Sequence, residues 1–411
     1  MESLRDAAWR ARDFFRRDAV LAIACVLAAA SCVVVPPDAG YADYIDWRTI
    51  GLLFSLMVAT SGLARAGALA RACRVLVRAC KSGGALIAAL VGLTFFVSMV
   101  VTNDVALVAF VPLALAALRE AGLVRRLAFA IACMTVAANV GSMLTPIGNP
   151  QNIYLLSVSG MSAVELVGIM APYSAAAFVL LAAAIGIAEL CDRKRFKHIP
   201  SQMAGVNPKA PQESFALRDV LPWIALIAMC LLCVARIAPV WLVVVAAIAL
   251  ALAFDMRALR HVDYALLFTF VAFFVFVGNV ARIEVVREAV AALVDGRALL
   301  VGVVASQIIS NVPAAILVSG FTTDWPALLV GVDIGGLGTL IASMASLISY
   351  KQLAVAYPEL KTYYFRLFTG LNCAFLAALL ALAAVICSAY MERECDALWT
   401  VKRKGEAHAS P

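Results

Sequence analysis

Charge is what this sequence has least of. Of 411 residues only 14% are Asp, Glu, Lys or Arg, against about 25% in an ordinary soluble domain, while 64% are apolar. That balance excludes a soluble enzyme, a fibre and a disordered chain. Histidine is nearly absent: His198, His261 and His408 are scattered over loops and the tail. No Gly-rich phosphate loop and no His-Glu metal motif occurs. Of the eleven cysteines, Cys25, Cys32, Cys133, Cys230, Cys233, Cys373 and Cys387 sit inside apolar runs, where Cys behaves as a small hydrophobe. Cys230-x-x-Cys233 has no second pair and no neighbouring His. Nucleophile, base and metal-ligand constellations are therefore missing, so neither catalysis nor a resident cofactor is expected. The net charge of +7 fits basic cytoplasmic loops better than a nucleic-acid partner.

What is present is long apolar runs, recurring from Val20 to Leu382. A spanning helix needs about 20 apolar residues, so the pattern predicts an all-α bundle of about nine transmembrane helices. The expected spans are 19–35, 47–64, 126–157, 163–190, 220–236, 239–255, 263–281, 327–350 and 367–390. Two stretches, 84–118 and 298–320, have a polar interruption near the middle and read as half-length helices that enter and leave on one side. Such backbone is tolerated at membrane depth only under cover of protein or a water-filled cavity. Before each lies an amphipathic segment, one carrying Arg71, Arg74, Arg78 and Lys81, the other running from Arg282 to Arg297 with both signs. Both read as helices on the membrane surface.

The domain plan follows. Residues 1–18 form a cytoplasmic N-terminus, 19–190 a first repeat with hairpin 84–118, and 191–219 a polar, basic, Pro-containing cytoplasmic linker. Residues 220–390 form a second repeat with hairpin 298–320, and 391–411 a tail. With the N-terminus inside, 24 of the 33 Lys and Arg fall on the cytoplasmic side, which supports that orientation. The basic tail falls outside and does not fit it.

Comparing the halves exposes an internal repeat. A shift of 208 residues lays Ser98 to Asn103 (S-M-V-V-T-N) on Ser306 to Asn311 (S-Q-I-I-S-N). A shift of 194 lays Asn139 to Asn152 on Asp333 to Ser346, matching Gly141 with Gly335 and Thr145 with Thr339. Five spans separate the two interruptions, so the repeats must be inverted, an arrangement of transporters with a site near the midplane. Gly141, Ser142, Pro146, Gly148 and Pro150 crowd helix breakers into ten residues. A helix broken in the membrane exposes N–H groups that attract anions and carbonyls that attract cations. Two acids, Asp104 and Asp333, fall deep in the apolar repeat cores, where ionisable groups are functional by default. No Lys or Arg accompanies them, so a bound anion would rely on dipoles and amides.

The motifs S-x-x-x-T-N-D at 98–104, N-x-G-S-x-x-T-P-I-G-N-P-Q-N at 139–152 and S-Q-x-x-S-N-x-P at 306–313 resemble the ion transporter superfamily. That group holds sodium–dicarboxylate and citrate symporters, arsenite permeases and a branch of sodium/proton antiporters. The resemblance covers nearly the whole chain. It implies two re-entrant hairpins, sodium held between each tip and the neighbouring broken helix, and elevator-type movement in a homodimer. One ion site would use Ser98, Thr102, Asn103 and the Gly141–Thr145 break, the other Ser306, Ser310, Asn311 and the Gly335–Thr339 break. Ser142 and Asn149 in the first break and Asp104 and Asp333 complete the candidate set. The dicarboxylate pattern Ser-Asn-Thr is not kept, since its third positions here are Asp104 and Val312, and the T-N-D form resembles the arsenite and antiporter branches. The expectation is a secondary active transporter of a small anion, coupled to sodium or protons, in a bacterial-type inner membrane. The alternative is a sodium/proton antiporter or arsenite-type permease with no organic substrate.

Overall fold

The computed structural model describes residues 19–80, 82–193 and 217–407, with side chains from 20 to 80, 82 to 191 and 217 to 388. The N-terminal segment 1–18, most of the linker 191–219 and the end of the tail lie outside them. Every regular element among the described residues is helical.

The chain opens with α1 (Ala19–Val34), α2 (Trp47–Arg65) and the basic helix α3 (Ala68–Ala79). It continues with α4 (Gly83–Ser98), α5 (Asn103–Glu120), α6 (Leu127–Ser142), α7 (Pro150–Ser159) and α8 (Ala163–Arg193). After the linker come α9 (Leu217–Val234), α10 (Val240–Phe254), α11 (Tyr264–Arg282) and the mixed-charge α12 (Glu284–Val294). The chain ends with α13 (Ala298–Ile309), α14 (Asn311–Ser319), α15 (Trp325–Ile334), α16 (Met344–Ala356) and α17 (Lys361–Ala407).

Among the described residues six spans, those holding α2, α6, α8, α9, α11 and α17, are long and apolar enough to cross a membrane. The nine expected spans are not all of that kind, for a physical reason. α1 and α10 are only 16 and 15 residues long. The stretches 126–157 and 327–350 are interrupted at 143–149 and 335–343, where the helix breakers lie. Between α12 and α13 the chain turns by 108°, which sets α12 across the end of α13.

The two halves pack alike. Within each, the first arm of the helix–break–helix unit lies on the first half of the broken helix, α4 on α6 and α13 on α15. Second arms cross over, α5 packing on α16 and α14 on α7. The interrupted elements are thereby buried against one another, while α8 and α17 keep mostly exposed, apolar faces.

At the outer ends of the helices, side chains supply the caps. Asp46 accepts from the N–H groups of Arg48 and Thr49, Ser82 from Ala85, Asp263 from Leu266 and Asp324 from Ala327. The loop after α1 is clasped to α11: Arg282 pairs with Asp38 at 2.6 Å and lies over the Tyr44 ring. This guanidinium holds the exposed Asp38 carboxyl below the usual carboxylate range.

Candidate functional site

Four helices begin at the centre of the molecule: α5 at Asn103, α7 at Pro150, α14 at Asn311 and α16 at Met344. Their N-cap residues, Thr102, Asn149, Ser310 and Ser343, are types that normally cap, yet none of these side chains does so. All four helix starts line one cavity of about 20 Å³, together with Asn103, Asp104, Gln151, Ser310, Asn311 and Ser343. That is room for one water or one small ion. No Lys, Arg or His is among the described residues of its wall. The positive ends of four helix dipoles thus meet in one small buried space.

Positions that the two shifts align make matching contacts. The backbone N–H of Asn103 donates to Gly148 O at 3.3 Å, and that of Asn311 to Ala342 O at 2.9 Å. Thr145 Oγ1 donates to Met99 O, and Thr339 Oγ1 to Gln307 O. Each Asn Oδ1 accepts the next backbone N–H, Asp104 at 2.9 Å and Val312 at 3.0 Å. Ser98 and Ser306 spend their hydroxyl protons on carbonyls of their own helices, Phe95 O and Gly302 O. Their oxygens face Gly141 and Gly335, where an added Cβ would stand 2.6 Å and 2.8 Å away. At Gly141 it would also meet Phe95 O at 2.2 Å. Only glycine lets α6 approach α4, and α15 approach α13, so closely. Ser310 sits at φ +76°, ψ 154°, a conformation that costs a non-glycine residue about 1–3 kcal/mol, and such strain gathers at functional sites.

Contacts across the repeats, which no comparison within a half could reveal, tie the two breaks together. Asn139 Oδ1 accepts from Asn103 Nδ2 at 3.1 Å and from Ser343 Oγ at 3.0 Å. Its counterpart Asp333 accepts through Oδ1 from Gln151 Nε2 at 2.8 Å and from Asn149 Nδ2 at 3.5 Å. The pairs Asn139–Ser343 and Asp333–Asn149 thus exchange places under the repeat. Ser142 Oγ bonds within its own helix end, to Asn139 O.

Asn139, Gln151, Asn152, Gln307 and Ser343 were not among the expected site residues, although all but Ser343 lie in the motifs quoted above. Gln307 fills the second break, donating to Gly335 O and Leu337 O at 2.7 and 2.9 Å and accepting from Thr339 N. In the first break Asn152 Nδ2 serves Met143 O and Thr145 O. Both breaks therefore hold a side-chain amide against their freed carbonyls.

Several buried acceptors nonetheless have no hydrogen-bond partner: Asp104 Oδ1, Asp333 Oδ2, Asn149 Oδ1, Gln151 Oε1 and Asn152 Oδ1. An orphaned buried acceptor is costly, and a proton, a cation or a donor-bearing solute would relieve it. Asp104 also borders a second space, a vestibule of about 500 Å³ that reaches Arg65, His261 and Asp263. Asp104, Pro150, Leu266 and Met344 border both the open chamber and the small central cavity, and Asp104 is the ionisable group of the four. Arg65 itself is paired with Asp255 at 2.5 Å.

Comparison with known proteins gives the same direction. The family model described as Citrate transporter matches residues 7–323. The chain is 32% identical over 313 residues to an uncharacterized transporter of Methanocaldococcus jannaschii, spanning 75% of this chain and 81% of that protein. It is 31% identical over 311 residues to the inner membrane protein YbiR of Escherichia coli, spanning 75% and 80%. A shorter match, 35% over 138 residues, links 33% of the chain to 28% of a silicon efflux transporter of Oryza sativa subsp. japonica.

Proposed function

The chain belongs to the citrate transporter family, and from that premise we propose that it is a secondary active transporter that moves a small anion coupled to protons or sodium. One observation carries this: four helix N-termini whose N-cap side chains leave them uncapped converge on a cavity with no basic side chain among its described residues, and Asp104 borders both this cavity and an open vestibule. The positive helix ends and the amides of Asn103 and Asn311 meet the anion. Carbonyls at the opposite ends of the breaks, with the oxygens of Ser98 and Ser306, suit a cation. Ser98, Thr102, Asn103, Gly141, Ser142, Thr145 and Asn149 serve one half-site, and Ser306, Ser310, Asn311, Gly335 and Thr339 the other. Asp104 and Asp333 carry the coupling charge.

The architecture that fits is an inverted repeat of about nine spans with two re-entrant hairpins, working by an elevator movement as a homodimer with the N-terminus in the cytoplasm. In a protein whose native cysteines have been replaced, a single Cys at exposed Arg119 is expected to react only with reagent added from the cytoplasmic side. One at exposed Thr323 is expected to react only from outside. Labelling of both from one side would reject the inversion.

Transport itself is tested by counterflow in proteoliposomes with a panel of anions, with and without sodium and pH gradients. Citrate and inorganic oxyacids belong in that panel, because the family is named for the first and a relative for silicon efflux. A second reading, sodium/proton exchange or an arsenite-type permease with no organic substrate, is favoured by the unpartnered acceptors around Asp104 and Asp333. Sodium/proton exchange predicts sodium-driven proton flux with no anion present, whereas an arsenite-type permease predicts flux of the inorganic solute and none of citrate.

A further inference from the structure

The amphipathic helices α3 and α12 hold the same place in the two halves, each directly before a helix–break–helix unit. Their charges differ. On α3, Arg71, Arg74 and Arg78 recur at helical spacing on the exposed face, and the helix contains no acid. Its opposite face buries Leu69 and Cys73 and half-buries Leu76 and Val77, against α2, α4 and α5. On α12, Glu284 and Glu288 flank Arg287, all exposed, with Asp295 just beyond. Burial of Leu69 and Cys73 explains how α3 is held against the bundle, but it does not explain why every charge on its exposed face is basic. A row of guanidinium groups beside the apolar edge of a bundle matches a plane of phosphates at the membrane surface.

We propose that α3 is a docking face for the phosphate headgroups of anionic phospholipids in its own leaflet, and that α12 is not. The consequence reaches the transport site. Leu69 and Ala70 of α3 form part of the vestibule wall, and α3 packs on α5, whose first turn carries Asp104 to the same wall. Headgroups held on α3 therefore brace one wall of the vestibule against the membrane surface, whichever solute the protein carries.

The test uses the full chain in a zwitterionic detergent, titrated with short-chain phosphatidylglycerol, short-chain phosphatidylcholine or inorganic phosphate, with thermal unfolding as the readout. Phosphatidylglycerol is expected to raise the midpoint at concentrations where phosphatidylcholine and free phosphate do not, and its half-saturating concentration to climb with salt. In Arg74→Gln/Arg78→Gln that concentration is expected to rise roughly thirty-fold, as for two basic groups worth about 1 kcal/mol each at an anionic surface. Arg287→Gln on α12 is expected to change nothing. Both α3 side chains are exposed, so the variant keeps its packed face, and the salt dependence of the unsubstituted protein checks the proposal independently. An equal response to phosphatidylcholine or to inorganic phosphate would overturn it. So would unchanged phosphatidylglycerol affinity in the α3 variant, or an equal loss in the α12 variant.

Discussion

Replacing Asn103 or Asn311 by Ala is expected to abolish transport while the chain still inserts and folds. Each side chain stands at a helix start on the central cavity, and each Oδ1 holds the next backbone N–H. Asn103 also donates to Asn139, so its loss leaves a buried acceptor with one fewer donor and costs about 1–3 kcal/mol of stability. A helical bundle of this size tolerates that cost. The transported species, by contrast, has few other donors to meet, because no basic residue is among the described lining of the cavity. Transport per folded molecule is expected to fall by roughly two orders of magnitude or more, equivalent to about 2.7 kcal/mol in the barrier. Counterflow, normalised to monodisperse protein recovered in detergent, reads both quantities. Lost expression with normal transport per folded molecule would assign both amides to packing.

The helix–break–helix units were legible because an apolar run with a polar middle cannot pass straight through hydrocarbon. The expected stretches 84–118 and 298–320 hold α4–α5 and α13–α14. Matching contacts follow the alignment of the halves: the shifts of 208 and 194 together turn Thr145–Met99 into Thr339–Gln307, and Asn103–Gly148 into Asn311–Ala342. Gly331 and Gly335 are spaced as a close-packing G-x-x-x-G, a pattern that by itself does not separate packing from function. A Cβ on Gly331 would stand 2.4 Å from Leu299 O, so packing accounts for that glycine.

What escaped was any contact between the halves. Aligning one repeat on the other pairs equivalent residues, whereas Asn139–Ser343 and Asp333–Asn149 join non-equivalent ones across the molecule. The amide plugs escaped for a related reason. Gln307 aligns with Met99, and Asn152 with Ser346, so each break is filled from a position that its repeat partner does not use. The vestibule was not legible at all, since its walls come from α2, α3, α5, α7, α11 and α16 and from His261 and Asp263 just before α11.

Asp104→Asn is expected to separate exchange from accumulation. The substitution keeps the shape of the side chain and removes its charge, so it imitates a permanently protonated carboxyl. Asp104 Oδ1 has no hydrogen-bond partner and borders both the vestibule and the central cavity, where an arriving proton or cation would meet it first. An ionised carboxylate there occupies the field of four helix N-termini and competes with a bound anion, and a protonated one yields that field to the anion. If Asp104 carries the coupling proton, Asp104→Asn therefore loses accumulation driven by a pH gradient but keeps exchange of labelled for unlabelled substrate, which moves no net proton. If it is a sodium ligand, sodium dependence weakens and pH dependence stays. The proton role is favoured, because the neighbouring hydroxyl, amide and carbonyl oxygens can hold a cation without a fixed charge. Paired measurements on the same vesicles, one with a pH gradient and one with label on both sides, distinguish the two. Wild-type accumulation indifferent to both gradients, together with unaltered Asp104→Asn, would return Asp104 to a structural role at the first turn of α5.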